Sequence, residues 1–170
     1  MRRKKYPKHS GFSIMEVMIA VFVLSVGLVG VGQLIFSSLR HSIDSRDHII
    51  ASQLAQEGIE LVRNIRDNNR LSEVDIFLGL TPGDYRIDYN DDGVQTAGLD
   101  YSLKYTANFY DHGSGSATKF ARKIKIENYS EGEARKITSV VSWKGAIPET
   151  TTDCTTANKC IYIEDILTNW

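Results

Sequence analysis

The hydrophobic and polar positions divide the chain into an apolar first part and a mixed remainder. From Phe12 to Phe36 every residue is apolar, a glycine, or a small or uncharged polar residue, and Glu16 is the one charged exception. A run of about 20 apolar residues is long enough to cross a bilayer as a helix. A secretory signal peptide has a shorter core of about 7 to 15 residues and then a small-residue cleavage site. No such site follows this run, so we predict a single transmembrane helix.

The charges on either side of this run predict its orientation. The segment Met1–Gly11 contains no acidic residue and five basic ones, Arg2, Arg3, Lys4, Lys5 and Lys8. After the run the charges balance, with Arg40, Asp44, Arg46 and Asp47. Basic residues accumulate on the cytoplasmic side of a membrane span. We therefore predict a cytoplasmic amino terminus in the inner membrane, with everything after Phe36 outside.

The helical pattern continues beyond the apolar run. An apolar stripe with alternating spacings of four and seven residues is formed by Leu39, Ile43, Ile50, Leu54, Leu61 and Ile65. It is widened by Ala51, Ala55 and Val62, and polar residues occupy the other side, namely Gln53, Gln56, Glu57 and Glu60. The run Asp67-Asn68-Asn69 favours a turn, so we predict one helix over about 13–66. A coiled coil is the competing interpretation, which Gly58 and the broken heptad disfavour.

Downstream of this helix the pattern becomes that of short strands. Alternation predicts strands at Tyr85–Tyr89, Tyr101–Thr106, Phe120–Glu127, Lys136–Trp143 and Ile161–Ile163. Glycine-rich and acid-rich links separate the earlier ones, at Tyr89–Gly98, Asp111–Ser116 and Ser130–Glu133. A long helix followed by consecutive strands predicts the α+β class, with an antiparallel sheet laid on the helix.

Composition narrows the range of functions. The 170-residue chain has a net charge of −1, and without the five basic residues of Met1–Gly11 it has 15 basic and 21 acidic residues, a net charge of −6. Bulk charge therefore gives no reason to expect nucleic-acid binding. The part outside the membrane is long enough for one core. Nucleotide-binding, zinc-protease and serine-hydrolase motifs are all missing from the sequence, so we predict no enzymatic activity.

The carboxylate inside the apolar run is the most informative residue of the chain. An acidic side chain near the centre of a membrane helix costs about 2.5 to 3.5 kcal/mol on insertion scales, so Glu16 needs a partner. The surrounding segment, Lys8-His9-Ser10-Gly11-Phe12-Ser13-Ile14-Met15-Glu16, resembles the prepilin leader of type IV pilins and type II secretion pseudopilins. The resemblance implies that a prepilin peptidase cleaves between Gly11 and Phe12 and methylates the new amino terminus at Phe12. It also implies that Glu16 pairs with the amino terminus of a neighbouring subunit during assembly.

The resemblance further implies a domain plan and a function. The plan is a removed leader at 1–11, a transmembrane or filament-core segment at 12–36, an amphipathic helix at 37–69 and an antiparallel β-sheet region at 70–170. The function would be that of a structural subunit in a type IV pilus or a type II secretion-like filament, periplasmic or on the cell surface. Its partners would be the peptidase, other pilins or pseudopilins, the assembly platform with its ATPase, and the bilayer.

Two features refine this expectation and one alternative stays open. Many major pilins have a proline in the span, whereas this chain has none between Pro7 and Pro82. This favours a minor pilin or pseudopilin, which the segment Ala55–Arg63 also resembles.

The alternative is a membrane-anchored binding module, a tip adhesin or DNA-uptake subunit, that uses the pilin stalk for display. The aromatic residues of such a surface would be Tyr85, Tyr89, Tyr101, Tyr105, Phe109 and Tyr110, for which burial in the core is the alternative and the commoner outcome.

Two further sites are predicted in the region outside the membrane. The run Asp88-Tyr89-Asn90-Asp91-Asp92-Gly93 fits the start of a calcium loop, with Asp88, Asn90 and Asp92 as ligands. The twelfth position of such a loop is Leu99 rather than glutamate, so an Asx-rich turn without metal is the alternative.

Cys154 and Cys160 predict a disulfide that closes a small polar loop, the alternative being two free thiols. The four histidines are expected at the surface, and no cofactor is required.

Overall fold

The computed structural model describes residues 11, 13–91, 93–96, 98, 100–130 and 133–169. Within these residues, one long helix, α1 (Ile14–Leu71), precedes seven strands. The chain divides into two compact units, Met1–Asp44 and Ser45–Trp170. The division lies within α1, a few residues beyond the end of the predicted span at Phe36.

In the first unit, α1 has apolar side chains exposed on all sides. Ser13 caps the helix, because its carbonyl oxygen accepts hydrogen bonds from the backbone N–H groups of Glu16 and Val17, and its hydroxyl accepts one from the N–H of Met15. None of the apolar window that qualifies α1 as a possible membrane span is buried. The helix is long and apolar enough to cross a bilayer, as the sequence predicts.

In the second unit, one face of α1 packs on the sheet. The buried residues are Asp47, Ala51, Leu54, Ala55, Gly58, Ile59, Val62 and Ile65, spaced three or four apart as on one face of an ordinary helix. The predicted stripe, with its alternating spacings of four and seven residues, was therefore partly wrong. Leu39 and Ile43 are 54% and 57% exposed, because they precede the part of α1 that the sheet covers. The buried Gly58 and Ile59 were missing from the predicted stripe.

The helix ends later than the Asp67-Asn68-Asn69 turn signal predicted. Instead of stopping the helix, the Asn68 side-chain amide donates a hydrogen bond to Asn64 one turn earlier, at 2.8 Å. The Asn69 amide donates to the carbonyl oxygens of Leu78 (2.9 Å) and Ile76 (3.2 Å), and so holds the next loop against the helix end. The chain leaves the helix through Glu73, which has a left-handed backbone with φ of 56°.

The strands form one antiparallel sheet. They are β1 (Gly83–Arg86), β2 (Gln95–Thr96), β3 (Ser102–Thr106), β4 (Phe109–Asp111), β5 (Ser116–Tyr129), β6 (Ala134–Ser142) and β7 (Cys160–Thr168). Strand β5 is central, since β1 and β3 pair along one of its edges and β6 along the other, with β7 beyond β6. The α+β architecture, a long apolar helix followed by an antiparallel sheet, is confirmed and is type IV pilin-like.

The five predicted strands are present with shifted bounds, and two further strands were missed. Strands β2 and β4 have two and three residues, too few to show alternation, and lie at or next to segments predicted as links. Strands β5 and β7 extend well beyond their predicted ranges because each pairs with β6 over nine residues. Ala107 and Asn108, both with positive φ, form the tight turn that joins β3 to β4.

The core of the second unit lies between α1 and the sheet. One cluster contains Ile59, Val62, Ile65, Leu80, Ile87, Ile124, Ile126, Ile137 and Leu167. A second contains Ala51, Leu54, Ala55, Leu103, Phe120, Val141 and Trp143. Gly58 lies at a close approach of helix and sheet, because a Cβ added there would lie 2.5 Å from Ser139 Oγ and 2.8 Å from Ile124 Cδ1. Only glycine fits this position without a shift of its neighbours.

Candidate processing and assembly site

The predicted processing residues lie at the start of α1. Gly11 is exposed and precedes the capping Ser13 by two residues. Phe12 and the leader residues 1–10 lie outside the described residues. An exposed, non-helical Gly11 is compatible with access for a peptidase, and the assignment of the cut between Gly11 and Phe12 stays a prediction.

Glu16 occupies the first turn of α1, among apolar side chains. It is exposed, and its neighbours Ile14 and Met15 are 80% and 72% exposed. The positive end of the helix dipole favours an acidic residue in this turn. No described residue supplies a cation or hydrogen-bond donor to its carboxylate. Within the described residues Glu16 is therefore an acid without a partner on an apolar helix, and it can accept a hydrogen bond from a cation outside this chain.

The remainder of the apolar run offers a surface for lipid or for other helices. Large side chains such as Phe22, Leu28 and Leu34 are each more than 60% exposed. A Cβ added at Gly27, Gly30 or Gly32 would meet no atom within 4 Å, so each glycine leaves room for a close neighbour. The Ser25 hydroxyl donates to the Val21 carbonyl oxygen at 2.7 Å, which satisfies this polar group inside the helix.

The beginning of the chain matches a known protein family. Residues 6–32 match the family model described as "Prokaryotic N-terminal methylation motif". No curated protein and no solved structure gives a significant match. The match confirms the predicted prepilin-type motif and is consistent with the type IV pilin and pseudopilin family.

The motif and the apolar helix together define a membrane-anchored, type IV pilin-like subunit. The motif implies processing by a prepilin peptidase and assembly with other pilin subunits. The proteins that carry it are structural rather than enzymatic.

A polar cluster is buried between α1 and the sheet, and the sequence did not predict it. Arg122 on β5 is fully buried, and its guanidinium lies 3.0 Å from the Glu57 carboxylate and 3.6 Å from the Asp88 carboxylate. It also donates to the carbonyl oxygens of Ile87 at 2.7 Å and Leu54 at 3.4 Å. One side chain of the sheet thus connects α1 to the segment that follows β1.

His112 extends this cluster. The expectation that it lies at the surface was wrong. Its side chain is 2% exposed, with Nδ1 lying 2.7 Å from the Asp88 carboxylate and Nε2 lying 3.2 Å from the carbonyl oxygen of Arg122. Of the others, His48 is half-buried, in edge contact with Trp143, and His41 is exposed. His9 lies outside the described residues.

The ionisation of Asp88 reflects its surroundings. Burial by itself raises the pKa of the carboxyl, because a charge is harder to solvate there. The hydrogen bonds from the ring and backbone N–H of His112, with the electrostatic attraction of His112 and Arg122, act in the opposite direction and prevail. The pKa of Asp88 therefore lies below its ordinary value, and the carboxylate is ionised at neutral pH.

The predicted calcium segment folds as a turn in its described part. The Asp91 carboxylate accepts a hydrogen bond from the Asp88 N–H at 2.9 Å, and the Asp91 N–H donates to the Asp88 carbonyl oxygen at 3.1 Å. Both oxygens of the Asp88 carboxylate accept hydrogen bonds from His112. Asn90 is exposed, Asp92 lies outside the described residues, and within the described part no three acidic, histidine or cysteine side chains are grouped to hold a metal. Calcium binding stays a prediction.

Cys154 and Cys160 form a disulfide in the structure. Both cysteines are buried, and with Val140 they form a small apolar cluster on which Ile147 packs. The five residues between them are exposed. The disulfide thus fixes an exposed polar loop to the sheet.

The six aromatic residues of the predicted binding surface do not form one patch. Tyr89 and Tyr105 are the most exposed, at 56% and 43%. Tyr89 makes an edge contact with Phe109 at a ring-centre distance of 4.5 Å, whereas Tyr105 contacts Tyr110, which leads to the buried Phe120. Tyr85 and Tyr101 are half-buried.

Proposed function

We propose that the chain is a minor pilin or pseudopilin of a type IV pilus or a type II secretion-like filament. The methylation motif at the head of an exposed, membrane-length apolar helix carries this proposal. The absence of proline between Pro7 and Pro82 supports a minor subunit over a major one.

The proposed sequence of events follows from the charges and the burial. The basic leader keeps the amino terminus in the cytoplasm, and the peptidase removes it between Gly11 and Phe12. The unit Ser45–Trp170 then lies outside the cytoplasmic membrane. An assembly platform driven by an ATPase lifts the apolar segment from the bilayer into a helical stack, where helices of other subunits replace lipid.

In this proposal Glu16 sets the axial position of the incoming subunit. A carboxylate in apolar surroundings is costly unless a cation pairs with it. The methylated amino group of a neighbouring subunit is such a cation, and a charge-assisted hydrogen bond between the two would hold one register. The lack of a described partner for Glu16 within its own chain supports this role.

Replacement of Glu16 by alanine is expected to remove the subunit from filaments without lowering its amount in the membrane. Stranding the partner amino group in the filament core costs about 3 to 5 kcal/mol, so incorporation should fall at least about tenfold. Immunoblots of sheared filaments and of membranes from the same cells measure both quantities. The matched control is Glu60→Gln, an exposed glutamate of the same helix in the second unit. Equal incorporation of the Glu16 variant and the control would rule out this role.

Display of a binding surface is the second candidate function. The exposed Tyr89 ring favours it, and the two functions are compatible because a filament subunit can also bind a ligand.

We also propose calcium as an optional ligand at Asp88, Asn90 and Asp92. A calorimetric titration that gives no heat, with no calcium-dependent rise in melting temperature, would refute it.

A further inference from the structure

Two cavities meet on the surface of the second unit, around Asn90 and Asp91. The first has a volume of about 430 Å³ and lies between α1, which contributes Asn64 and Asn68, and the segment after β1, which contributes Tyr89. The second, of about 410 Å³, contains Asn90 and Asp91 as well. We name the two together the Asn90 groove. Each cavity is within the range of about 300 to 1,000 Å³ that small ligands occupy.

The polar side chains of the first cavity are mainly uncharged amides. The Asn68 side-chain nitrogen donates to the side-chain amide oxygen of Asn64 at 2.8 Å, and this bond leaves the side-chain oxygen of Asn68 and the side-chain nitrogen of Asn64 for other partners. Asn90 adds a further exposed amide, and Gln95 another at the second cavity. Amides both donate and accept hydrogen bonds, as a ligand rich in hydroxyl groups requires.

The groove combines these amides with an exposed aromatic ring and an apolar floor. Tyr89 is 56% exposed, and the edge contact with Phe109 holds its ring in place. Ile65 and Ile87, both buried, line the first cavity beneath it. A ring face beside hydrogen-bonding groups suits a ligand that has an apolar face and a polar edge.

The charges near the groove argue against an anionic ligand. The Asp88 carboxylate is held by His112 and Arg122, and the Asp91 carboxylate by the Asp88 N–H. Arg86 and Asp111 line the second cavity with opposite charges. Residues 12–170 carry a net charge of −6, which disfavours a polyanion such as DNA.

We propose that the Asn90 groove binds a neutral saccharide, with one sugar ring stacked on Tyr89 and its hydroxyl groups bonded to the amides of Asn64, Asn68 and Asn90. A sugar ring has an apolar C–H face and a rim of hydroxyl groups, which matches the aromatic ring and the amides of this groove. The proposal goes beyond the filament role and does not depend on it.

The test is binding of the unassembled full chain, in a zwitterionic detergent without a sugar head group, to immobilised oligosaccharides. The set contains neutral hexose and N-acetylhexosamine oligomers, acidic oligosaccharides and a single-stranded oligonucleotide. We expect binding to neutral oligomers, with affinity lowered about tenfold in Tyr89→Ala and in Asn90→Ala. The control Tyr162→Ala removes a tyrosine that is 40% exposed on β7 and should leave the affinity unchanged.

Three outcomes would overturn the proposal: no saccharide bound by the unaltered chain, equal loss in Tyr162→Ala, or preference for the oligonucleotide or the acidic sugars. Because Tyr89 and Asn90 are exposed, both variants should fold, and circular dichroism checks this. The assay needs neither processing nor assembly, so its failure is distinguishable from failure of the filament role.

Discussion

Replacement of Arg122 by methionine is expected to lower the free energy of unfolding of the second unit by about 3 to 5 kcal/mol, the cost of breaking a buried ion pair by removing one partner. The methionine fills similar space but leaves Glu57 and Asp88 without their guanidinium partner. It also leaves the Ile87 carbonyl oxygen, now bonded at 2.7 Å, without a donor. Chemical unfolding of the full chain in detergent, followed by near-ultraviolet circular dichroism, measures the loss.

The matched control for this prediction is Arg63→Met on the surface of the same helix–sheet unit. Arg63 also pairs with two carboxylates, those of Glu60 and Asp165, but its side chain is 40% exposed. Exposed ion pairs contribute about 0 to 1 kcal/mol. If both substitutions cost the same, or if Arg122→Met costs less than about 1 kcal/mol, the buried cluster does not hold α1 to the sheet.

Replacement of Gly58 is the second substitution with a large expected effect. Gly58→Ala gains about 1 kcal/mol of helix propensity but places a methyl group 2.5 Å from Ser139 Oγ. Overpacking costs about 1 to 3 kcal/mol, so we expect a net loss of up to about 2 kcal/mol. Gly58→Val should cost more, because its two further methyl groups add to a Cβ that already lies 2.8 Å from Ile124 Cδ1 and 3.3 Å from Arg122 Cδ.

The double variant Gly58→Ala with Ser139→Ala separates crowding from other causes. The Ser139 hydroxyl has no hydrogen-bond partner in the described part of the chain, so Ser139→Ala alone should cost little. Together the two substitutions should restore part of the stability lost by Gly58→Ala, because the closest contact is gone while that with Ile124 remains. If the effects of Gly58→Ala and Ser139→Ala on stability were strictly additive, crowding between residues 58 and 139 would be excluded as the cause. Gly30→Ala is the control, since its added Cβ meets no atom within 4 Å.

Local patterns were sufficient to predict much of the fold. The apolar run, the methylation motif and the change from helical to alternating pattern each lie within one stretch of sequence. Motif and architecture were both confirmed. The sequence did not show where along α1 the buried face begins. Only the part of α1 that the sheet covers is buried, and the apolar residues before Asp47 resemble those after it.

The buried polar cluster could not be predicted, because it depends on contacts between distant residues. Arg122 and Lys123 are adjacent charged residues in a strand, and their order alone does not show which faces the core. The backbone partners of Arg122, Leu54 and Ile87, lie 68 and 35 positions away. His112 is buried for the same reason, by its bond to Asp88 24 positions earlier.

The mass and the terminal sequence of the mature chain test the central claim most directly. The chain is expressed with and without a prepilin peptidase, and its intact mass and amino-terminal sequence are determined. The account predicts a new terminus at Phe12 with one added methyl group, seen only with the peptidase and lost when Gly11 is replaced by a bulky residue. An uncut chain that keeps Met1, or a cut beyond Phe36, would contradict it.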